Sequence, residues 1–213
     1  MTLSPISDQL HSYLDSLTPS RPEEVQAMGA YARERGFPII GPAAGYLCYQ
    51  MARMIGARQI FEMGSGKGYS TAWFGQAVAD NGGGTVHHVV WDERLSQSAR
   101  NHLTALGFEE IVQYHVGEAV QILRETTGSF DLIFNDIDKE GYPDSLPVIA
   151  DKLRSGGVLI TDNVIWGGRI FEKSDQSAST KGVRAFTRRL ADDPDWIATL
   201  VPIRDGLLVA YKK

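Results

Sequence analysis

A chain of 213 residues, 43% hydrophobic and 22% charged, has the composition of a globular protein and the length to bury a real core. Its net charge of −5 gives no basic footprint, which argues against a duplex nucleic-acid binder. No stretch approaches the roughly 18 apolar residues of a membrane span, and the N-terminus has no basic region ahead of an apolar run, so neither a membrane span nor a secretory signal is expected. The single cysteine, Cys48, cannot form an internal disulfide, which fits a reducing cytoplasm. Because it lies in an apolar segment, it reads as a buried core thiol.

Residues 1–56 read as a helical N-terminal part. Ser20-Arg21-Pro22-Glu23 resembles a capping box with proline in the first turn, and the helix it opens should stop at Gly36. A second helix is expected over 43–55, stopped by Gly56. Residues 57–213 then alternate. Strands are expected at 59–63, 85–91, 111–115, 130–135 and 158–161, the last preceded by Gly156-Gly157. Helices are expected at 69–79, 95–106, 119–125, 143–153 and 181–191. Two closing runs, 196–202 and 206–211, flank the turn Arg204-Asp205-Gly206 as an antiparallel hairpin. The polar segment 172–180 is the expected mobile loop. This alternation predicts an α/β fold: a doubly wound, mostly parallel seven-stranded sheet with helices on both faces, in a single domain.

Two apolar strands end in oxygen ligands. Residues 131–134 run into Asn135-Asp136-Ile137-Asp138-Lys139, and residues 158–161 run into Asp162-Asn163. Asp136, Asp162 and Asn163 are hard donors, suited to Mg²⁺, Mn²⁺ or Ca²⁺ at the carboxyl edge of a sheet. The bland alternative is that the three cap a turn and a helix. Asp138 is offset by two residues and is the weaker candidate. Lys139 is either a solvated helix-start lysine or a base beside that cation. Trp166 is either a wall of the site or a core aromatic.

The first strand closes on Glu62-Met63-Gly64-Ser65-Gly66-Lys67-Gly68-Tyr69-Ser70. Alternate glycines let a ligand approach the backbone, and the helix that follows offers free N–H groups. The spacing is not the G-x-G-x-x-G of dinucleotide sites, and the acid before the first glycine repels a pyrophosphate. A cationic ligand such as a methionyl ammonium suits it. The histidines assemble into no site. His87 and His88 are adjacent on a strand and face opposite sides, while His11, His102 and His115 stand apart.

Together with Gly117-Glu118-Ala119 and Asp205-Gly206, these motifs resemble the cation-dependent O-methyltransferases of the caffeoyl-CoA and catechol type, over nearly the whole chain. The resemblance implies a doubly wound, Rossmann-like methyltransferase fold, S-adenosylmethionine as cofactor, a Mg²⁺-type metal and a vicinal dihydroxy aromatic as acceptor, often in a homodimer. By position it implies that Glu62, Gly64, Ser65, Gly66, Gly68, Tyr69, Ser70 and Asp136 bind the cofactor, with Glu62 and Gly64 near its methionyl part and Ser70 close by. It places Ala119 at the adenine, Asp136, Asp162 and Asn163 on the metal, and Lys139 as base.

One position departs from the family. The acid that would bind both ribose hydroxyls is replaced by Val90, and the nearest acids are Asp92 and Glu93. Asp92 is the expected ribose ligand, provided that the chain turns back over the cofactor. Three other readings compete: methylation of a hydroxylated tRNA uridine, an NAD(P)-binding oxidoreductase, and a binding protein with a degenerate ribose site.

Overall fold

The computed structural model of the protein describes residues 8–213. The segment 1–7, on which the reading of the N-terminus rests, lies outside the described residues. Three helices come first: α1 (Asp8–Ser16), α2 (Glu23–Arg35) and α3 (Gly41–Met54). Strand and helix then alternate through β1 (Gln59–Met63), α4 (Tyr69–Asp80), β2 (Thr85–Val90), α5 (Glu93–Ala105), β3 (Val112–Val116), α6 (Ala119–Glu125), β4 (Phe130–Asn135), α7 (Tyr142–Lys152) and β5 (Leu153–Thr161). Last come α8 (Ala178–Asp192), β6 (Trp196–Val201) and β7 (Leu207–Lys212). Among the described residues, no helix is long and apolar enough to cross a membrane.

The seven strands form one sheet in the order β3-β2-β1-β4-β5-β7-β6. The first five are parallel, and β7 runs antiparallel to both β5 and β6. This is the expected doubly wound sheet with its antiparallel hairpin. Strand alternation sorts the core into two layers. Ile60, Leu132, Phe134 and Ile160 pack with α3, α4 and α5, while Phe61, Met63, Ile133 and Leu159 pack with α7 and α8. Cys48 sits fully buried in the first layer, as expected. Chain order reverses beside β1, whose neighbours are β2 and β4, and the crevice at the carboxyl ends of these strands is where an open α/β sheet presents a ligand site.

Four local expectations differ. Ser20 caps nothing: Pro22 is the N-cap of α2 and no side chain bonds its first amides. Gly36 does end that helix, in the left-handed conformation. β5 begins at Leu153 rather than after the glycines. A register shift against β4, which pairs Phe130 with Leu153 and Leu132 with Val158, absorbs the extra residues within the strand. β2 ends at Val90, leaving Trp91 exposed. The segment 172–180 is laced together: α8 starts within it at Ala178, Asp175 accepts from Arg169, Ser177 and Thr180, and the Arg184 guanidinium reaches the carbonyls of Arg169, Ile170, Glu172 and Asp175.

Candidate active site

Backbone pairing carries the strand ends into the site. The amide of Asp136 donates to Met63 O at 2.9 Å, that of Asp162 to Asn135 O at 3.1 Å, and that of Ser65 to Val89 O at 2.9 Å. The loops after β1, β2, β4 and β5 therefore leave the sheet side by side. Gly64 is demanded by this closeness. Its φ is 86°, and a Cβ there would lie 2.4 Å from the Asp136 carbonyl oxygen. The loops enclose a cleft of about 540 Å³ that holds Asp136, Lys139, Asp162 and Asn163 together, walled by Phe37, Ile39 and Trp166. Trp166 thus stands in the site wall while also packing against the second core layer.

The two acids repel each other in a partly dry place. Burial, and then Asp136, push the Asp162 carboxyl up to about 7. Asp136 is also raised by burial, although Lys139 opposes the shift. Lys139 Nζ donates to Asp136 Oδ1 at 2.7 Å and to the Ile137 carbonyl at 3.2 Å. The Tyr142 hydroxyl donates to Asp162 O at 2.8 Å and fixes that loop. Asn163, at a positive φ of 56°, donates its Nδ2 to Asp205 Oδ2 at 3.2 Å, which leaves its amide oxygen available. Asp205 is held in turn by the Gly167 amide at 2.6 Å.

Among the described residues no three His, Cys, Asp or Glu side chains converge as a metal cluster. The donor set here is two carboxylates and one amide oxygen. Two carboxylates that resist ionisation side by side, with a neutral oxygen donor next to them, fit a hard divalent cation and not a thiophilic one.

The cofactor candidates divide. Gly64, Ser65, Gly66, Tyr69, Ser70 and Asp136 line a small cavity of about 30 Å³ that opens beside the cleft. Ala119, with Gly117, Val90 and Trp91, lines another of about 90 Å³. Gly68 turns away: a Cβ there would meet Ala99 and Leu103 of α5. Glu62 is fully buried, and its carboxylate faces the first turn of α4, accepting from Ser70 and Thr71. Burial drives its carboxyl up to about 7, against the pull of those hydroxyls. Asp92 caps α5, its Oδ1 accepting from the amides of Arg94 at 2.7 Å and Leu95 at 3.2 Å. It does not line the cleft, whereas Asp138 lines both the cleft and the Ala119 cavity beside Val90.

The histidines make contacts that the sequence did not disclose. His87 and His88 do face opposite sides, but His115 Nε2 lies 3.0 Å from His87 Nδ1, and His102 Nδ1 meets Glu24 Oε1 at 2.5 Å. His88 Nδ1 lies 3.0 Å from the Thr71 hydroxyl that bonds Glu62. The β1–β2 register, which sets Glu62 against His88, creates this link, and no local motif signals it.

A sequence profile described as O-methyltransferase matches residues 32–213. The chain belongs to the O-methyltransferase family. It is 27% identical over 219 residues to a catechol O-methyltransferase of Niastella koreensis, covering 98% of each chain. The O-methyltransferase TomG of Streptomyces achromogenes, involved in tomaymycin synthesis and solved with S-adenosylmethionine, superposes with a TM-score of 0.87 at 28% identity over 100% of both chains. An O-methyltransferase of Bacillus cereus, in complex with S-adenosylhomocysteine, gives 0.86 at 25% identity over 96% of this chain and 97% of its own. The family expected from the motifs is therefore the right one, and this enzyme's cleft lies where the motif residues meet.

Proposed function

We propose that this enzyme transfers a methyl group from S-adenosylmethionine to one hydroxyl of a small vicinal dihydroxy aromatic, such as a catechol, with the help of a divalent cation. The carrying observation is the convergence of Asp136, Lys139, Asp162 and Asn163 in one cleft beside the glycine loop. Asp136, Asp162 and Asn163 would hold the cation, and Asp205 would keep the Asn163 oxygen turned toward it. A bound divalent cation lowers the pKa of chelated hydroxyls and fixes their orientation.

The protein's own groups supply the rest. Lys139 Nζ would take the proton from the acceptor hydroxyl, and the oxygen would then bond to the methyl carbon as the methyl–sulfur bond breaks, with S-adenosylhomocysteine leaving as the neutral thioether. Trp166, Phe37 and Ile39 form an apolar wall that suits an aromatic ring and keeps water from the reacting oxygen. Gly64, Gly66 and Tyr69 receive the methionyl end of the cofactor, and Ala119 the adenine. The solved relatives that carry this cofactor or its product support the donor, and the catechol-methylating relative supports the acceptor class. Assembly as a homodimer in the cytoplasm is part of the same reading. Exposed Tyr13 on α1, Leu17 just after it and Met54 at the end of α3 support the dimer, and the lone free thiol of Cys48 supports the compartment.

The test is transfer of labelled methyl to a panel of catechols, flavonoids and hydroxycinnamates, with Mg²⁺ and with excess EDTA. Mg²⁺-dependent labelling of adjacent diols, with none of isolated phenols, is expected. Labelling of isolated phenols at equal rates would overturn the acceptor class.

A further inference from the structure

The cavity of about 30 Å³ between the glycine loop and residues 37–40 is lined by one acid and one base. Asp136 is its acid, and Lys67 is the sole cation among the residues that line it. Its Nζ donates to the neutral Tyr31 hydroxyl at 2.7 Å and lies 4.0 Å from the Tyr31 ring centroid and 5.3 Å from that of Phe37. No carboxylate pairs with it among the described residues. The ammonium is therefore positioned by aromatic faces and a phenol but carries no counter-charge.

The neighbouring backbone also favours an anion. Tyr69 opens α4 directly after Gly68, and no side chain caps that helix, so its first-turn amides lack partners within it. Ser70, the hydroxyl that would otherwise serve an anion there, donates to Glu62 instead.

We infer that Lys67 is a specificity-determining cofactor residue that binds the α-carboxylate of the methionyl group. The inference rests on the reading of S-adenosylmethionine as methyl donor. The methionyl end of that molecule is a zwitterion whose ammonium and carboxylate share one carbon. A cavity lined by both Asp136 and Lys67 offers a partner to each of the two charges. The Tyr31 and Phe37 rings already hold the ammonium in place, so little freedom is lost when it meets the carboxylate.

Calorimetric titration of two probes tests this: S-adenosylhomocysteine, and its decarboxylated analogue, which keeps the ammonium and lacks the carboxylate. Wild type should prefer S-adenosylhomocysteine by roughly tenfold or more, the scale of one charge-assisted contact. Lys67→Met should lose that preference, by weakened binding of S-adenosylhomocysteine with the analogue unchanged, and Lys67→Arg should restore most of it. A Lys67→Met variant that still prefers S-adenosylhomocysteine by the wild-type factor would overturn the inference while leaving the cofactor reading intact. Wild-type protein that binds neither probe would overturn the cofactor reading and this inference with it.

Discussion

Lys139 Nζ lies 2.7 Å from Asp136 Oδ1, three residues earlier, with only 11% of the lysine side chain exposed. The proposed base and a proposed metal ligand thus share one contact. If Lys139 removes the acceptor proton, Lys139→Met should lower kcat by roughly 10²-fold or more, the usual scale of general-base loss. Its melting temperature should barely move, because the ion pair joins neighbours within one loop and closes no long-range contact. An unchanged kcat would make Lys139 a structural partner of Asp136 and nothing more.

Asp162 is 7% exposed, and burial together with Asp136 lifts its carboxyl to about 7. Asp162→Asn removes one of the two charges while keeping the shape. Mn²⁺ binding, followed by calorimetry or electron paramagnetic resonance, should weaken at least tenfold, and activity should fall with it. Full wild-type activity in excess EDTA would remove the metal from the mechanism.

Glu62 makes stability pH-dependent in a direction opposite to that of an ordinary paired carboxylate. Its folded value, about 7, lies above the ordinary glutamate value of 4.5. Between these values the folded chain holds a proton that the unfolded chain has released. Stability therefore falls as pH rises from about 4.5 to 7, and the penalty is absent below that window and complete above it. Glu62→Gln cannot titrate. Its stability relative to wild type, from urea unfolding, should improve across this window by up to about 3 kcal/mol, at roughly 1.4 kcal/mol for each tenfold change in proton affinity. A difference that stays flat from pH 4.5 to 8 would mean that Ser70 and Thr71 hold the carboxylate ionised throughout.

The alternation of β-branched strands with glycine-stopped helices was enough to write down the sheet, because each period is a local property of the chain. The candidate site was legible for the same reason: Asp136, Lys139, Asp162 and Asn163 all lie within four residues of the ends of apolar strands that must meet. Contacts set by register were not. Thr71 reaches both Glu62 and His88 only because β1 and β2 pair in one particular alignment. Asp205 orients Asn163 across 42 positions of chain. Gly156-Gly157 looked like a stop because glycine breaks most strands, yet the register shift between Phe130 and Leu132 accommodates it inside β5.

The ribose remains the sharpest contrast between sequence and structure. Val90 ends β2 and lines the cavity shared with Ala119, where an acid could face two hydroxyls. Asp92, two residues on, spends Oδ1 on two amides of α5. Asp92→Ala should therefore cost about 1 kcal/mol of stability, the usual effect of losing an N-cap, and leave the Kd for S-adenosylhomocysteine unchanged. Val90→Glu should tighten that Kd by about 1.5–3 kcal/mol, the range for hydrogen bonds to a charged group, less the cost of desolvating the new acid. Melting curves and calorimetry on both variants check this. If Asp92→Ala weakens cofactor binding while the melting temperature stays put, the carboxylate leaves the cap to take the ribose, and the loop after β2 closes over the cofactor as it binds.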